Sequence, residues 1–292
     1  MMKAYISLLR PAQWVKNLFL FLPLFFGHTL LQPDRVWPCC VAFVMFCLIS
    51  SSIYILNDLR DVAYDRQHPE KCRRPIAAGL VSPRTAVALH VALLLSALLI
   101  GWCLPPDSRG ALYIVVAYYV LNVAYCFGLK RISLLDVMIV AAGFVLRIMA
   151  GAEAASITPS HWIVLMTFLL ALFLALAKRR DDVLHYEQTR EALRSNVAFY
   201  NREFLNSTLT FVAAVTLVCY IMYTVDEQIM QRLGCRYVYM TTIFVLAGIL
   251  RYLQLTLVEE KSWSPTRILL RDRFLQLCIL LWFLSFAIII YG

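Results

Sequence analysis

Asp58, Asp61 and Asp65 follow Asn57 in the stretch NDLRDVAYD, which closes a long apolar run. On a helix turning ~100° per residue, the three aspartates project within about 60° of one another, with Asn57 about 40° beyond that edge. Three carboxylates on one stripe repel unless cations neutralise them. Hard oxygen donors of this kind suit Mg²⁺, which keeps part of its water shell and commonly shares its coordination with substrate phosphates. Arg66, Lys71, Arg73 and Arg74 come next in the chain. Such cations can hold phosphate oxygens, arginine through its planar fork and lysine as a point charge. The pattern suggests a site that grips a diphosphate through metal ions at a membrane surface. The plainer alternatives are a solvated helix end paired with local arginines and, for the cations, the ordinary basic bias of cytoplasmic loops.

The elements that must position these residues are apolar. Of 292 residues, 61% are hydrophobic and 15% charged, with a mean hydropathy of +0.72. A soluble domain of this length would carry far more charge, and several runs reach the ~20 residues that cross a bilayer as a helix. The chain reads as an all-α integral membrane protein, a single polytopic domain over residues 1–292. Nine apolar windows are expected to span, at about 17–32, 37–57, 85–104, 110–129, 134–154, 160–178, 206–225, 237–258 and 273–291. Gln32-Pro33-Asp34, Pro105-Pro106-Asp107 and Thr158-Pro159-Ser160 punctuate them. No cleavable leader is expected, because the first run lacks a small-residue cleavage site and leads into further spans.

Charge sets the orientation. With nine spans, 21 of the 27 Lys and Arg residues fall on the side of the N-terminus and only four on the other. Positive-inside bias then puts the N-terminus and the two longest connections, about 58–84 and 179–205, in the cytoplasm. Those connections are expected to cap the site. The net charge of +9 belongs to membrane topology and not to a nucleic-acid partner. The nine cysteines show no CxxC or Cys/His spacing, so neither a disulfide framework nor a cysteine metal site is expected. Arg147 lies about 16 Å along the fifth span from Asp136. A charge at that depth needs a partner inside the bundle, and a structural salt bridge and a ligand contact are both open. His28, His90, His161 and His185 are isolated and read as structural or exposed.

Asn57-Asp58-x-x-Asp61-x-x-x-Asp65, followed by Arg74-Pro75-Ile76-Ala77-Ala78-Gly79, resembles the first aspartate-rich motif of the UbiA superfamily of intramembrane prenyltransferases. Several stretches resemble one branch, the decaprenyl-phosphate phosphoribosyltransferases. They are Leu9-Arg10-Pro11-x-Gln13-Trp14-Val15-Lys16-Asn17, His68-Pro69-x-Lys71, Gly128-Leu129-Lys130-Arg131 with Leu135-Asp136-Val137, Gly143 through Arg147, and Leu172 through Arg180. After the sixth span, where prenyl-diphosphate users carry a second DxxxD-type motif, this chain reads KRRDDVLHYEQ. Adjacent Asp181 and Asp182 sit ~100° apart on a helix and cannot chelate as an i, i+4 pair does. This departure favours a donor other than a prenyl diphosphate.

The resemblance implies a nine-transmembrane-helix bundle with a central cavity opening to the cytoplasmic side, in the cell (inner) membrane. It also implies transfer of 5-phosphoribosyl from phosphoribosyl diphosphate to a polyprenyl (decaprenyl) phosphate, feeding cell-envelope synthesis. Mg²⁺, with Mn²⁺ as an alternative, would be held by Asp58, Asp61 and Asp65, which carry catalysis. Asn57, Arg66, Lys71, Arg74, Lys130, Lys178, Arg179 and Arg180 are the expected substrate contacts, followed by Lys16 and Tyr125. Homo-oligomerisation is left open. The rivals are a prenyltransferase acting on an aromatic acceptor and, from another class, a secondary transporter. Transporter sites lie near the bilayer midplane on broken helices, whereas these acids close a span.

Overall fold

Prolines and polar caps set where the helices begin. Pro33 opens one helix, and Ser82 caps another by accepting from the Thr85 N–H at 3.1 Å, just before Pro83. Asn201, Asp226 and Asp272 cap three more in the same way. The computed structural model describes residues 2–67, 71–189, 196–260, 268–269 and 271–292. His68-Pro69 of the first loop motif, together with Arg190, Arg194, Lys261 and Arg267, lies outside the described residues. Two compact units result, Met1–Pro159 and Ser160–Gly292, divided at the Thr158-Pro159-Ser160 break.

The first unit holds α1 (Met2–Leu9), a 3₁₀ helix (Pro11–Phe21), α2 (Leu22–Phe26), α3 (Pro33–Gln67), α4 (Pro83–Trp102), α5 (Gly110–Phe127) and α6 (Leu135–Ala154). The second holds α7 (His161–Thr189), α8 (Arg202–Val225), α9 (Glu227–Leu233), α10 (Thr242–Leu257) and α11 (Arg273–Tyr291). Among the described residues there is no strand. Also among the described residues, eight helical stretches, built on α3 to α8, α10 and α11, are long and apolar enough to cross a membrane. The first expected window, 17–32, differs. It holds the end of a 3₁₀ helix that Pro11 opens and one short α-helix that has Pro23 at its start and ends at Gly27. The connection expected from about 179 also differs, since α7 continues through Thr189.

Within the first unit α3 is the enclosed element. Its most apolar window is 61% buried, against 17% for α4. The stripe Cys39, Ala42, Met45, Phe46, Ile49 and Ile53 packs with Leu20, Leu24, Val115 and Tyr118 in one core. Outward residues such as Leu95, Leu99, Tyr113 and Val120 are apolar and exposed, the pattern of a lipid-facing surface. His90 ties three helices together. Its Nδ1 pairs with Ser52 Oγ of α3 at 2.8 Å, and its Nε2 with Tyr119 Oη of α5 at 3.2 Å.

Apolar burial gives little drive between helices in lipid, so close approach through small residues matters more. A Cβ placed on Gly151 of α6 would lie 1.9 Å from the Leu20 carbonyl oxygen. The obstacle is backbone and cannot swing aside. Gly151→Ala is therefore expected to destabilise the protein by about 1–3 kcal/mol through overpacking. A lowered Tm in detergent would register it, and an unchanged Tm would refute the close contact.

Candidate active site

Because α3 runs without interruption from Pro33 to Gln67, Asp58, Asp61 and Asp65 keep the single stripe expected of them. Asp58 is 2% exposed and Asp65 3%. Each acid meets a cation. Arg74 Nη1 donates to Asp58 Oδ1 at 3.0 Å and to Asp65 Oδ2 at 2.7 Å, so one nitrogen bridges two carboxylates. Lys130 Nζ holds both oxygens of Asp61, at 2.6 and 2.8 Å, and lies 3.4 Å from Asn57 Oδ1. Arg10 Nη2 donates to Asp58 Oδ1 at 2.6 Å.

Arg10 comes from far away in sequence. It adopts φ 53°, ψ 58° between α1 and Pro11, a left-handed conformation that non-glycine residues hold at a cost of about 1–3 kcal/mol. Surrounding bonds fix it. Trp14 Nε1 donates to Ser51 Oγ at 3.0 Å, and Ser51 Oγ donates to the Leu9 carbonyl at 2.8 Å. The guanidinium also lies 5.0 Å from the centroid of the Tyr54 ring.

Arg74 is aimed by its own turn. The Ala78 N–H bonds the Arg74 carbonyl at 2.8 Å, and the Leu80 N–H bonds the Pro75 carbonyl at 2.9 Å. Ile76 is 2% exposed and packs with Leu8 and Ile55. Gly79, at φ 72°, lets the chain leave in the left-handed region. Ser7, Arg10, Asp58, Arg73, Arg74 and Pro75 together line an open cavity of about 270 Å³.

The remaining expected residues fall in several places. Lys71 opens a short 3₁₀ turn, Lys71–Arg73. Arg66 is exposed and its Nε reaches the Ala77 carbonyl at 3.4 Å. Tyr125 is half-buried near the end of α5, and Lys16 half-buried on the 3₁₀ helix. In the second unit Lys178 is exposed on α7. Arg179 donates to Asp182 Oδ2 at 2.9 Å. Arg180 is fully buried, donating from Nε to Asn206 Oδ1 and from Nη1 to the Thr256 carbonyl, each at 2.6 Å. Arg180 thereby ties α7 to α8 and α10. Glu153 does not pair with Arg147, whose partners are Asn17, Gly143 and Tyr118.

Among the described residues no three His, Cys, Asp or Glu side chains already converge as a metal cage. The donor set nonetheless fits a divalent cation. Two carboxylates share one cationic nitrogen, and the third lies on the same stripe with only hard oxygen donors to offer. If Arg74 turned toward an incoming phosphate, Asp65 Oδ2 would be released for such an ion, and Asp58 Oδ1 would follow once Arg10 turned as well.

The chain resembles known proteins along nearly its whole length. A family model described as the UbiA prenyltransferase family matches residues 20–262. The chain is 36% identical to a decaprenyl-phosphate phosphoribosyltransferase of Mycolicibacterium smegmatis, over 98% of this chain and 92% of that protein. It is likewise 36% identical to a protein of the same name from Corynebacterium glutamicum, over 98% of this chain and 86% of the relative. The solved structure of a UbiA homologue from Archaeoglobus fulgidus, bound to GPP and Mg²⁺, superposes with a TM-score of 0.72. It covers 99% of this chain and all of that one at 19% identity, a likeness of fold.

Proposed function

The chain belongs to the UbiA prenyltransferase family, and from that membership we propose that it is a polyprenyl-phosphate phosphoribosyltransferase. It moves 5-phosphoribosyl from phosphoribosyl diphosphate to decaprenyl phosphate and releases diphosphate. The similarity to phosphoribosyltransferases along nearly the whole chain carries this reading, and the acid–cation stripe supplies its chemistry.

The donor is soluble and highly anionic, so a basic mouth suits it. The acceptor is a long lipid, so helices open to the bilayer suit it. Asp58, Asp61 and Asp65 would hold Mg²⁺, which when bound neutralises charge gathering on the leaving diphosphate. Arg74, Arg10 and Lys130 rest on the same carboxylates and would turn to the diphosphate oxygens, with Asn57, Arg66, Lys71 and Tyr125 around them. An acceptor phosphate oxygen forms the new bond to ribose C1 as the old C1–O bond breaks, and the electron pair leaves on the diphosphate. The nucleophile is already an anion, so positioning and electrostatic stabilisation suffice without a general base.

The site is proposed to face the cytoplasm from the cell membrane. The 3₁₀ helix and α2 make a ninth crossing. At ~2.0 Å per residue in the 3₁₀ part and ~1.5 Å in α2, those residues reach about 30 Å, the thickness of the hydrocarbon core.

One assay separates the readings. Purified protein in detergent with Mg²⁺ receives labelled phosphoribosyl diphosphate and a polyprenyl phosphate, and label is followed into the organic phase. Transfer is expected, and should stop on chelation of the metal. No transfer there, with transfer from a prenyl diphosphate to an aromatic acid instead, would establish the rival prenyltransferase.

A further inference from the structure

Each acid of the α3 stripe has its cation, whereas Lys16 and Arg147, deeper in the first unit, pair with no acid among the described residues. Arg147 is 4% exposed. Its Nε donates to Asn17 Oδ1 at 2.8 Å, its Nη1 to the Gly143 carbonyl at 2.8 Å and its Nη2 to Tyr118 Oη at 2.9 Å. The guanidinium also lies 4.7 Å from the Tyr118 ring centroid and 5.5 Å from that of Phe46. Every one of these partners is neutral. Hydrogen bonds satisfy the N–H groups but leave the net charge uncancelled.

Lys16 precedes Asn17 and makes no hydrogen bond or ion pair among the described residues. The charged and titratable groups that act on it are Arg147, Tyr118 and Arg10. Arg147 bonds Asn17, the residue that follows Lys16, so two positive charges share this part of the first unit with no carboxylate bonded to either among the described residues. Like charges gathered out of water are unfavourable on their own, so the pair has the form of half an ionic contact. Its place in the fold is also defined. Asn17 reaches Ser50 of α3 at 3.5 Å, eight residues before Asp58 and so ~12 Å along the helix from the acidic stripe.

We propose that Lys16 and Arg147 form a second anion subsite, one that takes a phosphate monoester while the acidic stripe takes the diphosphate. The assignment rests on the reaction proposed above, in which both substrates carry such a group: the 5-phosphate of the donor and the phosphate of the lipid acceptor.

Lys16→Met removes the charge and keeps most of the stem. Binding is read by calorimetry on the full-length protein in detergent, with ribose 5-phosphate and, separately, farnesyl phosphate as probes, so that turnover is not required. Wild type is expected to bind at least one probe, and Lys16→Met to weaken that binding roughly tenfold to a hundredfold, the worth of a charge-assisted contact. Ligand-free Tm should stay level or rise, because a repulsion with Arg147 is gone. Weaker farnesyl phosphate binding assigns the subsite to the acceptor, and weaker ribose 5-phosphate binding assigns it to the donor. Equal binding of both probes by variant and wild type, no binding of either by wild type, or an unfolded variant would each overturn the subsite. Lys16-dependent binding without phosphoribosyl transfer would instead sink the reaction and keep the subsite.

Discussion

Asp58→Asn is expected to lower turnover by about a thousandfold or more, the scale of losing one preorganised electrostatic contact to a leaving group together with a metal ligand. Asp58 is the acid on which two cations meet, Arg10 at 2.6 Å and Arg74 at 3.0 Å. Asparagine keeps the shape and an accepting oxygen but removes the charge. The fold should survive, because Arg10 and Arg74 are each 25% exposed and can be hydrated, and Arg74 keeps Asp65. Initial rates with labelled donor, beside a thermal unfolding curve, decide the matter. Turnover at the wild-type rate would remove the acidic stripe from the mechanism.

The second large effect is expected at Arg74. Its guanidinium both bridges two buried carboxylates and lines the cavity that a phosphate would enter. Arg74→Gln should lower kcat/KM for phosphoribosyl diphosphate about a hundredfold, as loss of a forked cation–phosphate contact does. It should also lower the Mg²⁺ concentration that gives half-maximal rate, because a competing cation has left the acids. A general loss of structure would not improve metal response while impairing donor use. Arg74→Lys should restore only part of the donor use, since one ammonium nitrogen can bridge Asp58 and Asp65 as Nη1 does but offers a diphosphate no planar fork. Half-maximal rate at unchanged Mg²⁺ in the glutamine variant would show that Arg74 never competes for the carboxylates.

The acidic stripe was legible because helix periodicity converts spacing directly into direction. Arg10 was not, although it stands within the quoted Leu9-Arg10-Pro11 stretch. Its reach to Asp58 depends on a left-handed turn before proline, a conformation usually disfavoured, and on a contact across 48 residues. Lys130 was expected to touch substrate, and the structure adds that it holds Asp61. The first apolar window shows the limit of hydropathy: composition records that residues 17–32 are apolar but not whether they wind as α or 3₁₀ helix. Arg147 could be placed at depth from the sequence. Its neutral partners could not, because Asn17 and Tyr118 come from other helices, 130 and 29 residues away.

The 35 residues of α3 make a rod about 50 Å long, some 20 Å more than the oily slab it crosses. Its base is locked among neighbouring helices, and its tip carries the carboxylates. In the proposed reaction, the height at which water-borne sugar meets membrane-borne lipid is therefore written into the length of one stiff strut. A thicker or thinner bilayer would slide that meeting point relative to the lipid's phosphate, so host membrane composition becomes a lever on this chemistry without any residue changing.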